Sequence, residues 1–96
     1  MSIFKRFAAK RQERLNQKRQ ELFLRVRDIA VKLLKIQDIE KIKPQTRFKE
    51  DLNIDSLDAL ELIMELESFF GFEIPDEDAE RLFTIQDIVN YLEKKL

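Results

Sequence analysis

Over residues 21–36, Leu22, Phe23, Val26, Ile29, Ala30, Leu33 and Leu34 recur at the i, i+3, i+4, i+7 spacing of one apolar helix face. Ile3, Phe4, Phe7 and Ala8 recur at the same spacing upstream, so the periodic stretch can continue backwards through residues 3–20. The period is lost over residues 37–55. Pro44 stops a helix there, and Thr46 and Asn53 are loop formers. A connection of this length must be pinned down or functional. Ile39, Ile42, Phe48, Leu52 and Ile54 are the apolar residues available to pin it.

A second helix is predicted from Asp55 and Ser56, with Asp55 as N-cap and Asp58 three residues on. It should end near Phe70, where Gly71 can adopt the left-handed conformation of a C-terminal cap. Pro75 opens a short third helix over residues 76–82, acidic in its first turn as the helix dipole favours. Thr84 and Asp87 form a second capping pair. The final helix has Ile85, Ile88, Val89 and Leu92 on its core face and Lys94 and Lys95 at its C-terminal end. No segment alternates with a period of two, so no sheet is expected. The predicted fold is all-α: a small four-helix bundle of three longer helices and one short one. A long loop follows the first helix, and an N-terminal extension, helical or disordered, precedes it.

On a wheel of about 100° per residue, Ala59, Leu62, Ile63, Leu66 and Phe70 form the core stripe of the second helix. Asp58, Glu61 and Glu65 line a flank. Leu57, Leu60 and Met64 fall roughly opposite the core. Apolar residues beside a carboxylate row suit docking of a basic partner, although single exposed apolar residues are also ordinary surface.

Composition removes several classes of function. Ninety-six residues make one domain, too small for a deep active-site cleft. The chain has no Cys and no His, which removes thiolate nucleophiles, disulfides, Cys-ligated zinc and the commonest general base. One Gly cannot build a phosphate-binding loop or a dinucleotide fingerprint. No enzyme constellation and no metal site is expected. Asp51, Asn53 and Asp55 imitate the opening of a calcium loop, but Ser56 stands where that loop needs Gly and Leu62 where it needs Glu. No apolar run approaches the ~20 residues of a membrane-spanning helix.

The net charge of −1 conceals two halves. Residues 1–20 carry seven cations (Lys5, Arg6, Lys10, Arg11, Arg14, Lys18 and Arg19) against Glu13. The remaining residues carry eleven cations against eighteen anions, with no Lys or Arg over residues 50–80. The expected organisation is a basic extension, residues 1–20, joined to an acidic body, residues 21–96.

Ser56 falls in the first turn of the second helix, where unpaired N–H groups and the positive dipole end tolerate a phosphate ester. Asp55 beside it can help a modifying enzyme hold Mg²⁺. Both residues can equally be plain helix caps. The longer run widens the choice. Asp55-Ser56-Leu57, the acidic helix from Asp58 to Phe70, Glu73-Ile74-Pro75-Asp76, Thr84-Ile85-Gln86-Asp87 and the preceding Phe48-Lys49-Glu50-Asp51-Leu52 together resemble the acyl carrier protein family of type II fatty-acid synthesis. The resemblance departs at Asn53 and Ile54, where Gly and Ala are usual and the turn should be stiffer. It also departs at Glu65, often a small residue, at Phe69, often an acid, and at Phe83, often Thr.

The resemblance implies a carrier rather than an enzyme. A 4′-phosphopantetheine from coenzyme A would be attached to Ser56 beside Asp55, and acyl intermediates of fatty-acid biosynthesis would ride on its thiol as thioesters. A phosphopantetheinyl transferase is then one partner. Fatty-acid synthase enzymes and acyltransferases with basic patches are others, meeting Leu57, Asp58, Glu61, Met64 and Glu65. Phe48, Leu66, Ile74, Ala79 and Leu82 would line the acyl pocket. A carrier of polyketide, aminoacyl or other acyl cargo, or a docking subunit with the same fold, are the alternatives. A monomer is expected in the cytoplasm, with mitochondrion or plastid as the alternative, and no nucleic acid, which the acidic body would repel. For the basic extension three readings stand: a solvated continuation of the first helix, a peripheral membrane contact, or a targeting segment.

Overall fold

The computed structural model describes residues 3–96. Among these residues five helices follow one another, α1 (Ile3–Leu34), α2 (Phe48–Asp51), α3 (Ser56–Phe70), α4 (Asp76–Ala79) and α5 (Ile85–Lys95), with one 3₁₀ turn at Ile39–Lys41. Three are long and pack together, α1 against both α3 and α5. The all-α expectation is met. Among the described residues the only extended pairing is an isolated antiparallel bridge between Arg47 and Thr84.

The core is the set that the periodicities select. Leu22, Val26 and Ala30 of α1, Leu62 and Leu66 of α3, and Ile85, Ile88, Val89 and Leu92 of α5 are buried together, with Ile42, Phe48 and Ile74 from the connections. The helix ends follow from local chemistry. Asp55 Oδ1 accepts from the Asp58 amide at 2.8 Å, and the Asp58 carboxylate accepts from the Asp55 amide at 3.4 Å, closing a capping box. Thr84 and Asp87 repeat the arrangement at the head of α5. Gly71 ends α3 at φ 78°, where a Cβ would be strained.

The long connection is pinned more by polar groups than its apolar residues indicate. Ile42 and Phe48 are buried and Leu52 and Ile54 pack against the core as anticipated, but Ile39 is exposed. Buried Thr46 accepts from the Lys43 amide at 2.8 Å and donates to the Lys41 carbonyl at 3.3 Å. Backbone bonds from Phe48 to Phe83, Ile85 to Thr46 and Gln86 to Pro44 then tie the segment to the head of α5. One turn of helix, α2, forms where a loop was expected. The Arg47 amide and guanidinium both bond Asp51 across it, holding the Asp51 carboxyl below its ordinary range. In the opposite direction, α4 is shorter than the predicted 76–82. Its last turn tightens into i→i−3 bonds from Arg81 to Asp78 and from Leu82 to Ala79.

α1 runs without interruption through residues 20 and 21. Its 32 residues make a rod of about 48 Å at 1.5 Å per residue, and the molecule measures 52 × 29 × 20 Å. Burial begins only at Leu22, and residues 3–14 are exposed throughout. No described helix is long and apolar enough to cross a membrane.

Leu66 is wholly buried between the long helices. Leu66→Ala should lower the unfolding free energy by about 2–5 kcal/mol, enough to populate unfolded chains of a domain this small. Urea denaturation followed by helical circular dichroism measures it, and a loss under about 1 kcal/mol would contradict this packing.

Candidate functional site

Ser56 is the first residue of α3 and is exposed. Its position is dictated by its neighbours. Asn53 takes φ 54°, a left-handed conformation that Asn tolerates and most residues do not. The chain thereby turns out of α2, and Asp55 caps the helix. Because Asp55 and Asp58 make the capping bonds, the Ser56 side chain is not spent on them. The Ser56 and Leu57 amides lie outside the helix's own ladder, so positive partial charge collects beside the hydroxyl.

An open cavity of about 830 Å³ begins at Ser56. Its walls come from α2 (Phe48), α3 (Ala59, Leu62, Ile63), the α3–α4 connection (Ile74), α4 (Ala79) and the turn after it (Leu82). The floor is apolar, and Arg47, Lys49, Glu50, Glu67, Asp76 and Glu80 stand among the lining residues as its charged members. Of the five residues anticipated as an apolar lining, Phe48, Ile74, Ala79 and Leu82 are here. Leu66 is not; it sits in the core.

Several lining residues carry no sequence signal of their own. Glu67 accepts from the Ile74 amide at 2.9 Å and so holds the α3–α4 connection against α3. Ala59, Leu62 and Ile63 read as plain core from the wheel. Leu60 faces both ways, half exposed and at the cavity. Phe83 is 63% exposed and lies among the lining residues.

The outer face of α3 is as the wheel places it. Leu57, Leu60 and Met64 are exposed, with Glu61 and Glu65 exposed beside them and Asp58 partly buried in its cap. Phe69 is half exposed, edge-on to Phe70 at 5.0 Å, with the Arg25 guanidinium 5.2 Å above its ring. It thus fastens α3 to α1 on the side away from the cavity lining. Among the described residues no group of His, Cys, Asp or Glu is arranged to hold a metal ion.

The family model for the phosphopantetheine attachment site matches residues 24–92, most of the chain. Among curated proteins, the acyl carrier protein of Thermosynechococcus vestitus is 49% identical over 76 residues, 79% of this chain and 93% of that protein. Those of Bdellovibrio bacteriovorus and Helicobacter hepaticus are 52% and 48% identical, over 74% and 76% of this chain and 90% and 95% of theirs. The chain belongs to the acyl carrier protein family. Members of this family are carriers rather than catalysts, and their covalent cofactor is 4′-phosphopantetheine. An exposed hydroxyl at a helix N-terminus, opening on an apolar-floored cavity, fits a phosphate-linked group of this kind.

α4, one wall of the cavity, is held to α5 by Tyr91, whose hydroxyl donates to Asp78 Oδ2 at 2.7 Å. Burial, and then this bond to a carboxylate, push the phenol up to about 12. Tyr91 is the sole Tyr and there is no Trp, so phenolate absorbance reports it alone. The folded chain should titrate near 12, and Asp78→Ala should move the midpoint down towards the ordinary ~10. Because the folded value lies above the unfolded one, the contribution is complete below about pH 10 and is lost as pH rises towards 12. A folded-state midpoint at ~10 would remove the Tyr91–Asp78 tie.

Proposed function

We propose that Ser56 is the attachment residue for 4′-phosphopantetheine, that residues 21–96 are the carrier unit, and that the cargo is an acyl intermediate of fatty-acid biosynthesis. One observation carries the reading. Ser56 is the exposed first residue of α3 at the edge of a cavity with an apolar floor, in a chain belonging to a family of phosphopantetheine carriers. The attached group supplies the thiol on which an acyl chain is held, which answers the absence of Cys in the chain itself.

The chain's own residues do the rest. The α3 N-terminus favours a phosphodiester at Ser56. Asp55 fixes where the helix starts, and stands beside Ser56 where a transferase must bring Mg²⁺. Phe48, Ile63, Ile74, Ala79 and Leu82 offer the acyl chain an apolar lining. Leu57, Asp58, Glu61, Met64 and Glu65 form the face for enzymes with basic patches: the phosphopantetheinyl transferase, fatty-acid synthase enzymes and acyltransferases. The partners work in the cytoplasm on a monomeric carrier, in keeping with the bacterial relatives. A specialised acyl cargo is the second reading, favoured by Phe83 at the cavity, which adds an aromatic contact where the family often has Thr.

The test is intact-protein mass before and after incubation with coenzyme A, Mg²⁺ and a broad-specificity phosphopantetheinyl transferase. The wild-type chain should gain one phosphopantetheine and Ser56→Ala none. A folded wild-type chain that gains nothing, or a Ser56→Ala chain that still gains the group, overturns the assignment.

A further inference from the structure

The family match begins at residue 24 and leaves the first half of α1 unexplained. That half is helical and stands clear of the bundle. Residues 3–14 are exposed on every side, partial burial begins with Leu15 and Lys18, and Arg19 pairs with Glu93 of the body at 2.7 Å. At 1.5 Å per residue, about 18 Å of helix lies beyond that contact region. Lys5 and Arg6 near the tip thus stand well beyond the ~8 Å screening length at physiological salt, so the acidic body does not cancel their charge.

Two kinds of side chain occupy this projecting length. Ile3, Phe4 and Phe7 are 63%, 80% and 65% exposed, and on the wheel they fall within about 100° of arc. Lys5, Arg6, Lys10 and Arg11 are spread around the remaining directions and into that arc as well, so cations surround the helix rather than forming one stripe. A folded acidic partner would touch one stripe and leave the other cations idle. A layer of anionic headgroups over an apolar interior meets both the surrounding cations and the phenylalanines.

We propose that the first three turns of α1 dock on an anionic lipid surface, with Ile3, Phe4 and Phe7 entering the interface and Lys5, Arg6, Lys10 and Arg11 among the lipid phosphates. The arm then tethers the acidic body beside the membrane. The inference does not depend on which residue carries the cofactor.

The experiment is sedimentation of the full chain with vesicles of phosphatidylcholine, alone or with about one third phosphatidylglycerol. At about 0.1 M salt the chain should pellet with the anionic vesicles at least tenfold more than with the neutral ones, and be released by about 0.5 M. Lys5→Glu/Arg6→Glu/Lys10→Glu/Arg11→Glu should abolish binding. Acidic residues suit a helix N-terminus, so that variant keeps its helix, which circular dichroism checks. Phe4→Ser/Phe7→Ser should weaken binding several-fold at unchanged charge, and Ser56→Ala should bind as wild type. Failure to bind anionic vesicles, equal binding by the charge-reversed chain, or full binding by the Phe pair variant overturns the proposal. So does a concentration-dependent dimer, seen by analytical ultracentrifugation and broken by the same charge reversal, in a chain that ignores vesicles. That result would seat the arm on the acidic α3 face of a second copy.

Discussion

Leu62 and Leu66 stay out of water only if α3 keeps one rotation about its axis, and each leucine contributes about 1.5–3 kcal/mol to holding it there. With the rotation fixed, the rest of the helix has no choice. Leu57 and Met64 must face outward with the carboxylates, Ala59, Leu62 and Ile63 must face the cavity, and Leu60 stands between the two. The capping box of Asp55 and Asp58 fixes the remaining freedom, the point at which the helix begins. Ser56 is therefore presented by packing on one side and a cap on the other. No bond of its own is required.

The two sides of the cavity are built to different standards. The α3 side belongs to the core shared with α1 and α5. The α4 side is a single turn of helix, held by Tyr91 to Asp78 and, through its preceding connection, by Glu67 to the Ile74 amide. Such a wall opens at lower free energy than the three-helix core, because few buried contacts oppose it. If the cavity receives the cargo as proposed, a wall of this kind lets a chain enter and leave more easily than rigid walls throughout would.

The long helices were legible because burial imposes a period. Leu22, Val26 and Ala30 mark α1, and Ile85, Ile88, Val89 and Leu92 mark α5. Caps were legible because Asp55, Thr84 and Gly71 are residue types chosen for one backbone geometry. The connection over residues 37–55 was legible only in its apolar anchors Ile42, Phe48, Leu52 and Ile54. Its polar anchors leave no period: the Thr46 side chain bonds Lys43 and Lys41 locally, and backbone bonds of Phe48 to Phe83, Ile85 to Thr46 and Gln86 to Pro44 join residues 35 to 42 positions apart. The wheel places Leu66 in the core stripe, where it lies, while the resemblance alone assigns it to the pocket. Periodicity assigns a residue to the inward side of α3, and only the placement of α4 decides which inward residues meet the cavity.

The basic arm and the acidic body divide the chain's electrostatics between two surfaces, joined along one continuous helix and fastened by Arg19 to Glu93. The function we propose for the body turns on Ser56 standing at the cavity between α2, α3 and α4. The direct measurement compares backbone amide NMR shifts of the phosphopantetheine-bearing chain before and after loading with acyl groups of increasing length. Shifts should spread from Ser56 to Phe48, Ile63, Ile74, Ala79 and Leu82 and grow with chain length, while amides of the α1–α5 contact stay still. Shifts confined to residues 55–59, indifferent to chain length, would mean that the cavity does not receive the cargo.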